Sequence, residues 1–261
     1  MIWSADPIAI SLGSLQVHWY GILFASGLLG AYFLGEWIFA KEGKDTKLLE
    51  PYFVYLIIGI TIGARGAHVL FYDFDYFVKH PAEIFMVWKG GLASHGGAIG
   101  AIVATYLWCK RYKIDFGWML ARVAMATMIV VGSIRVGNFF NSEIVGLPTT
   151  SALGVVFERV DSKLRHPVVL YEAASYFTIF LLLFWLYKRL DSKKFTNIAT
   201  GLVLTLAFVA RFVLEYFKTP QSEFANALPL SMGQILSLPF IAVGVVLLIA
   251  GLKKSYYSSN K

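Results

Sequence analysis

Residues 117–146 read GWMLARVAMATMIVVGSIRVGNFFNSEIVG, an apolar run of membrane-spanning length that ends in a crowded polar stretch. Four polar side chains lie within nine positions: Arg135, Asn138, Asn141 and Glu143. Polar groups of this kind at the edge of hydrocarbon are costly unless they are paired or bind a ligand. Three glycines frame them and indicate a backbone bent tightly around a ligand: Gly132, Gly137 and Gly146. The stretch therefore predicts the floor of a polar site near one face of a membrane.

The composition of the whole chain is typical of a membrane protein. Of the 261 residues, 57% are hydrophobic and 15% are charged, whereas about 25% are charged in an average soluble domain. The net charge is +7, but the basic residues lie in short loops between apolar runs, so we expect no nucleic-acid partner. The lone cysteine, Cys109, excludes an internal disulfide framework and a multi-cysteine metal site.

Seven apolar runs are each long enough for a helix that crosses the hydrocarbon, which takes about 20 residues. The predicted spans are 17–39, 49–72, 90–108, 117–134, 168–187, 198–216 and 232–252. We therefore expect an all-α membrane protein in which residues 1–261 form a single polytopic domain. The longest connection, about 135–167, is too polar to cross the bilayer and predicts a small ordered cap between spans four and five.

The distribution of Lys and Arg predicts the orientation. Thirteen of the 23 basic residues lie in the connections 41–47, 110–113 and 188–194 and in the C-terminal tail, which ends with Lys261. Loops dense in Lys and Arg face the cytoplasm by the positive-inside rule. We therefore expect a multi-pass protein of the bacterial inner (cytoplasmic) membrane, with a periplasmic N-terminus, a cytoplasmic C-terminus and a periplasmic cap.

This orientation brings polar residues of six predicted spans to one depth near the periplasmic face. They are His18, Tyr20, Arg65, His68, His95, Arg135, Asn138, Tyr171, Glu172, Arg211 and Glu215. Ionisable residues inside a membrane are functional candidates by default. Structural alternatives stay open, because Arg211 and Glu215 are spaced for a pair within one helix and Glu172 could simply pair with an arginine. Arg122, toward the cytoplasmic side, is interpreted as a snorkelling side chain.

A histidine and two arginines suit the transfer of a group from a phospholipid. His95 lies in GGLASHGGAIG (90–100), where the glycines give an imidazole open access to a substrate. Arg135 and Arg211 at headgroup depth can bind a phosphate and stabilise its departure. Histidines are too few and carboxylates too poorly grouped for a metal centre, and no serine stands in a GxSxG nucleophile elbow. The second substrate must therefore bring its own nucleophile.

Six blocks in order resemble the prolipoprotein diacylglyceryl transferase family over nearly the whole chain. They are HWYGILFASG (18–27), GARGAHVLFY (63–72), HGGAIG (95–100), RVGNFFNSEIVG (135–146), RHPVVLYEA (165–173) and RFVLEYF (211–217). RVGNFFNSEIVG is similar to the signature region of that family. The chain departs from the family pattern at Arg122, Ile134 and Ala207, which concern details of the pocket wall.

The resemblance implies an activity and its substrates. Phosphatidylglycerol, a membrane lipid, would donate its diacylglyceryl group to the lipobox cysteine of a prolipoprotein signal peptide. Glycerol phosphate would leave, and no metal or soluble cofactor would take part. The catalytic candidates carried over by motif are His95 or Tyr20 as the base for the thiol, with Arg135 and Arg211 on the phosphate. The predicted substrate-binding residues are Asn138, Glu143, Gly146, Glu215, Arg65, Gly96, Gly97 and Glu172, and among them Glu215 is expected to orient Arg211.

Other functions fit parts of the pattern. A transporter or channel for an anionic lipid would also use arginines, but no polar path leads to the inner face and the halves are not inverted repeats. Another lipid-dependent transferase, such as a phosphotransferase, would need a metal-binding carboxylate cluster, which the sequence lacks. An inactive paralogue is disfavoured because His95, Arg135, Asn138 and Arg211 are all present.

Overall fold

The computed structural model describes residues 1–219 and 230–259, with side chains up to residue 256. Lys261, the end of the predicted basic tail, lies outside the described residues. The described chain contains eight α-helices: α1 (Trp19–Lys41), α2 (Leu49–Phe71), α3 (Phe74–Lys79), α4 (Ser94–Tyr112), α5 (Phe116–Phe140), α6 (Val168–Arg189), α7 (Ser192–Leu214) and α8 (Met232–Ser259). Six of these, all except α3 and α4, are long and apolar enough to cross a membrane. The chain is therefore a predominantly helical, multi-pass membrane protein.

The third predicted span corresponds to α4, whose start differs from the prediction. The span was predicted to begin at residue 90, but α4 begins at Ser94, because Gly90 and Gly91 have φ values of 87° and 71°. A left-handed backbone cannot continue a right-handed helix. α4 has 19 residues, and His95 and the basic residues of its last turn make it less apolar than the six candidate spans. Its passage across the membrane therefore stays a prediction.

The chain divides into two compact units, residues Met1–Leu34 with Ala121–Lys261 and residues Gly35–Leu120. In the second unit, α2 packs on α4 through glycines. A Cβ atom on Gly63 would lie 2.3 Å from the Gly96 carbonyl oxygen, and one on Gly100 would lie 2.0 Å from the Gly59 carbonyl oxygen. Small residues of this kind let the backbones of two membrane helices approach closely.

The first unit contains short β-strands that no pattern in the sequence predicted. β1 (Ile2–Trp3) pairs in parallel with β4 (Val155–Phe157), and β4 pairs antiparallel with β5 (Leu164–Arg165). β2 (Ile8–Leu12) and β3 (Leu15–His18) form an antiparallel hairpin directly before α1. The connection between α5 and α6 is therefore ordered by a strand from the start of the chain.

A hydrophobic cluster joins the three-stranded sheet to the ends of α5 and α6. Phe139, Val155, Phe157 and Val169 are each at most 5% exposed, and the Trp3 ring lies 4.3 Å from the Phe139 ring, centroid to centroid. Full burial of one such side chain stabilises the fold by about 1.5–3 kcal/mol. The cluster therefore fixes the chain on both sides of the polar stretch that begins at residue 135.

The interpretation of Arg122 as a snorkelling side chain is wrong. Arg122 is 3% exposed, and its guanidinium donates to Thr196 Oγ1 and, at 2.8 Å, to Ser192 Oγ. The guanidinium also lies 5.4 Å from the centroid of the Phe195 ring. A buried charge needs such partners. The first turns of α7 cover this arginine, which its position near the inner end of a predicted span could not show.

Candidate active site

Helix α5 carries the first polar residues of the site. It was predicted to end at residue 134 but continues to Phe140, so Arg135 and Asn138 lie in its last turns. Arg135 Nη1 donates to Asn138 Oδ1 at 3.1 Å, and Asn138 Nδ2 donates to Glu143 Oε2 at 2.7 Å. The Asn138 amide, which is 6% exposed, therefore links an arginine on one side to a carboxylate on the other.

The interpretation of Gly132 and Gly137 as a bent backbone is wrong, because both lie inside the regular helix α5. Their role is to make room for aromatic side chains. A Cβ atom on Gly132 would lie 2.7 Å from the Phe177 ring, and one on Gly137 would lie 2.9 Å from Tyr20 Cδ2. Tyr20, in the first turn of α1, is thereby packed against the last turns of α5.

The turn after α5 holds Glu143 between two residues with a left-handed backbone. The φ angle is 56° at Ser142 and 54° at Ile144. A β-branched residue rarely adopts a positive φ, and such strain persists only where the surrounding contacts over-determine it. Glu143 N donates to Asn138 O at 3.0 Å, and Asn141 Nδ2 donates to Glu143 Oε1 at 3.1 Å. Two asparagine amides therefore orient the exposed Glu143 carboxylate.

A buried carboxylate holds Arg135 from α6. Glu172 is 0% exposed, and its Oε2 lies 2.8 Å from Arg135 Nε, which confirms that Glu172 pairs with an arginine. Lys218 Nζ lies 2.8 Å from Glu172 Oε1 and 3.1 Å from Glu215 Oε2. Within residues 1–219 and 230–259, neither Glu172 oxygen has an aligned hydrogen bond, so the attraction of two cations holds this carboxylate.

Sequence reasoning missed Lys218, because a lysine just after a membrane span usually anchors the helix end among the headgroups. Its spacing of three residues from Glu215 was the one signal of an ion pair. The side chain is only 8% exposed. The Lys218 backbone forms a β-bridge with Gly146, and Leu147 N donates to Phe217 O at 2.8 Å. The residues after α7 are therefore joined to the end of the polar stretch.

Arg211 lies on α7 beside the same cluster. The structure pairs Glu215 with Lys218 rather than with Arg211, and no carboxylate of the described residues lies within ion-pair distance of Arg211. The buried Tyr176 of α6 is within electrostatic reach of Arg211, Arg135 and Glu172. Three cationic side chains thus accompany two carboxylates, an arrangement that suits an anionic ligand.

Gly146 lies in a packed corner behind the polar stretch. A Cβ atom there would lie 2.5 Å from His166 O, the carbonyl that accepts from Gly146 N at 3.0 Å. Arg165 Nη1 donates to Gly146 O at 3.0 Å, while Arg165 Nε donates to Asp161 Oδ1 at 3.0 Å. The hydrogen bonds from Arg165 lower the pKa of Asp161 to about 2. Gly146 is therefore enclosed by backbone and side-chain atoms of residues 165–168.

In the second unit, the Arg65 side chain is hydrogen-bonded to backbone carbonyl oxygens. Its guanidinium is 6% exposed and donates to the carbonyl oxygens of Glu83, Ile84 (2.8 Å), Gly90 (2.7 Å) and Gly91 (3.1 Å). Arg65 therefore holds the segment that leads from α3 into α4. Few of its five donors are left for a substrate.

His95 lies in the first turn of α4 and is exposed. Its ring centroid is 5.8 Å from that of Tyr72, and no hydrogen-bond partner in the described part of the chain reaches its nitrogens. By contrast, His68 Nε2 lies 2.9 Å from Asp73 Oδ2. The glycines after His95 face α2, because a Cβ atom on Gly96 would meet the Gly63 carbonyl and one on Gly97 would touch Ile60.

The predicted site residues fall into two sets. Those in the first unit are Tyr20, Arg135, Asn138, Glu143, Gly146, Glu172, Arg211 and Glu215, and those in the second unit are Arg65, His95, Gly96 and Gly97. Their common depth stays a prediction. Among residues 1–219 and 230–259, no three His, Cys, Asp or Glu side chains are grouped as a metal site requires.

Known proteins of one family match this chain over nearly its full length. The family model for prolipoprotein diacylglyceryl transferase matches residues 7–250. A phosphatidylglycerol–prolipoprotein diacylglyceryl transferase of Tolumonas auensis is 48% identical over 97% of this chain and 98% of its own length. Proteins of the same name from Chloroherpeton thalassium and Porphyromonas gingivalis are 43% and 40% identical, over 98% and 96% of this chain and 96% and 94% of their own lengths. The chain therefore belongs to the prolipoprotein diacylglyceryl transferase family.

Proposed function

We propose that this protein transfers the diacylglyceryl group of phosphatidylglycerol to the lipobox cysteine of a prolipoprotein signal peptide. The family membership and the names of relatives that are up to 48% identical support this reaction. The observation in the structure that carries it is that Arg135, held by the buried Glu172, and Arg211 both lie within electrostatic reach of Tyr176, because two arginines in one place suit a phosphate. Such a reaction is the first step of lipoprotein maturation.

In this reaction the cysteine sulfur attacks the glyceryl carbon that bears the phosphate. The carbon–oxygen bond breaks, its electrons stay on the phosphate oxygen, glycerol phosphate leaves and a thioether forms. We assign Arg135 and Arg211 to the phosphate, where fixed positive charge stabilises the departing oxygen. Arg135 is held for this task by Glu172 at Nε and by Asn138 at Nη1.

The thiol proton needs a base, because the thiolate is the reactive nucleophile. We assign this role to His95, since an imidazole can accept a proton near neutral pH and His95 has no hydrogen-bond partner among the described residues. Tyr20 is the alternative base. A tyrosine hydroxyl must lose its own proton before its oxygen can accept one, which makes Tyr20 the weaker candidate.

The other predicted residues take supporting roles in this proposal. Asn138 and Glu143 shape the polar surface after Arg135, and Glu172 and Glu215 position the cations. The contacts of Gly146, Arg65, Gly96 and Gly97 favour structural roles, in which each holds the backbone of its own unit. The reaction as proposed needs no metal or soluble cofactor, since the peptide supplies the nucleophile.

We further propose the membrane arrangement of the chain. A single domain, residues 1–261, would cross the bacterial inner membrane in seven spans, with α4 as the third. The N-terminus and the cap formed around residues 135–167 would face the periplasm, and the C-terminus would face the cytoplasm. The dense Lys and Arg content of the shorter connections supports this orientation, which accounts for these basic residues without a nucleic-acid partner.

The test is transfer by the purified protein in phosphatidylglycerol vesicles with a lipobox peptide. Mass spectrometry should find a diacylglyceryl adduct on the cysteine, and a peptide with serine in place of that cysteine should gain none. If a folded protein forms no adduct, the proposal fails. Movement of labelled lipid between leaflets would then favour a transporter.

A further inference from the structure

Lys218 is a charged side chain that the reaction as described does not use. It is 8% exposed, yet its ammonium lies between two carboxylates from different elements, 2.8 Å from Glu172 Oε1 and 3.1 Å from Glu215 Oε2. Burial of a lysine costs free energy unless the charge is compensated. Both carboxylates compensate it here, so this lysine belongs to the buried network and not to the headgroup surface.

The position of the ammonium is set by the backbone as well as by charge. Lys218 N donates to Glu215 O at 3.1 Å, and the Lys218 backbone pairs with Gly146 in a β-bridge. The next residue, Thr219, donates from Oγ1 to Val145 O at 2.9 Å. These bonds fix Lys218 at the end of α7 against the end of the polar stretch.

Lys218 affects the charge of Arg135, because both cations pair with the Glu172 carboxylate. Glu172 Oε2 contacts Arg135 Nε and Oε1 contacts Lys218 Nζ, both at 2.8 Å. Without the lysine, the full negative charge of a 0% exposed carboxylate would be neutralised by Arg135 alone. An arginine that is fully paired in this way offers less positive charge to a phosphate.

We propose that Lys218 is a positioning residue for the lipid phosphate. Its ammonium neutralises the Glu172 side of the network, so that Arg135 stays oriented by Glu172 but keeps its positive charge for the anionic donor lipid. This inference rests on the proposed function, because it assigns the phosphate to Arg135. Lys218 itself acts through Glu172 and need not touch the substrate.

The test compares four variants with the wild type in the same vesicles: Lys218→Met, Lys218→Arg, Glu172→Gln and Lys218→Met/Glu172→Gln. Lys218→Met should lower kcat/KM for phosphatidylglycerol by about 10- to 100-fold, the effect of one charge-assisted contact. Lys218→Arg should retain most activity, and the KM for the peptide should be unchanged. The double variant should recover activity relative to Lys218→Met, because no unpaired carboxylate then competes for Arg135.

A measurement of lipid binding tests the proposal without relying on catalytic turnover. Native mass spectrometry should show weaker retention of phosphatidylglycerol by Lys218→Met and restored retention by the double variant, even in a protein that forms no thioether. Lys194→Met is the matched control, since Lys194 lies at the other end of α7 and its one ion-pair partner among the described residues is Asp191, at 3.6 Å. Additive losses in the double variant, or equal losses of lipid and peptide binding in Lys218→Met, would overturn the proposal and leave Lys218 with a merely structural role.

Discussion

Arg135 Nε and Glu172 Oε2 lie 2.8 Å apart and join the end of α5 to the first turns of α6. The Glu172 side chain is 0% exposed and the Arg135 side chain is 19% exposed. An arginine that is held in this way has a fixed orientation and keeps further donors for a ligand. The buried Glu172 therefore orients the arginine to which the proposed function assigns the phosphate.

Replacement of Arg135 tests the phosphate assignment. Arg135→Ala should lower kcat by about 100- to 1,000-fold, the usual cost of removing one preorganised donor from a developing oxyanion. Arg135→Lys should also be impaired, because an ammonium cannot contact both Asn138 and a phosphate as a planar fork does. The measurement is single-turnover thioether formation, with circular dichroism and thermal melting as controls for folding. Near-normal turnover by folded Arg135→Ala would contradict the assignment.

Replacement of His95 tests the base. His95→Gln should lower kcat by about 100-fold or more, because the thiol then lacks its positioned base. His80→Gln is the matched control, because His80 is exposed and lies next to Tyr76, away from α4 in the sequence. A full rate for His95→Gln together with a large loss for Tyr20→Phe would move the role to Tyr20.

Glycine packing between α2 and α4 should be sensitive to one methyl group. In Gly63→Ala the new Cβ would lie 2.3 Å from Gly96 O, so we expect destabilisation of about 1–3 kcal/mol from overpacking. Gly66→Ala on the same helix meets nothing within 4 Å and should be neutral or slightly stabilising. Thermal unfolding in one detergent compares the two. Equal midpoints would show that the helices are not this close.

The Asp161–Arg165 pair gives a pH dependence to the β4–β5 segment. The pKa of Asp161 is lowered from 3.8 to about 2, so its stabilising contribution is fully present above pH 3.8 and is lost as the pH falls toward 2. Limited proteolysis by an acid-active protease should therefore cut this segment faster at pH 2.5 than at pH 4.5. Asp161→Asn should be cut at the same rate at both values. Identical behaviour of the wild type and Asp161→Asn would contradict the pairing.

Hydropathy was sufficient to predict the six long apolar helices, because spans in hydrocarbon must be long, apolar and internally hydrogen-bonded. The short helix α3 was not predicted. Most ends of these six helices lie within a few residues of the ends of predicted spans. The exceptions are the C-terminal ends of α5 and α8 and the N-terminal end of α7, where the helix extends beyond the predicted span. The strands β1, β4 and β5 have two or three residues each, which is too short for a period-two pattern. Their pairing depends on contacts between distant parts of the chain.

Motifs singled out candidate polar residues but did not predict what each of them contacts. In the polar stretch the left-handed backbone lies at Ser142 and Ile144, not at Gly132 or Gly137. The reason is that φ in this turn depends on its tertiary contacts. The burial of Lys218 was not predicted, because the neighbours of a helix-end lysine in the sequence do not indicate whether its side chain is buried. The pairing of Glu215 with Lys218 rather than with Arg211 has the same cause: both partners lie one turn away, and only the fold selects between them.

In the proposed reaction sulfur displaces phosphate at a glyceryl carbon, and the fate of the bridging oxygen distinguishes this step from cleavage at phosphorus. Phosphatidylglycerol labelled with heavy oxygen between the diacylglyceryl carbon and phosphorus would be mixed with the protein and a lipobox peptide. We predict an unlabelled thioether adduct and one equivalent of labelled glycerol phosphate. Labelled diacylglycerol with an unmodified peptide would show cleavage at phosphorus instead, and would contradict the claim.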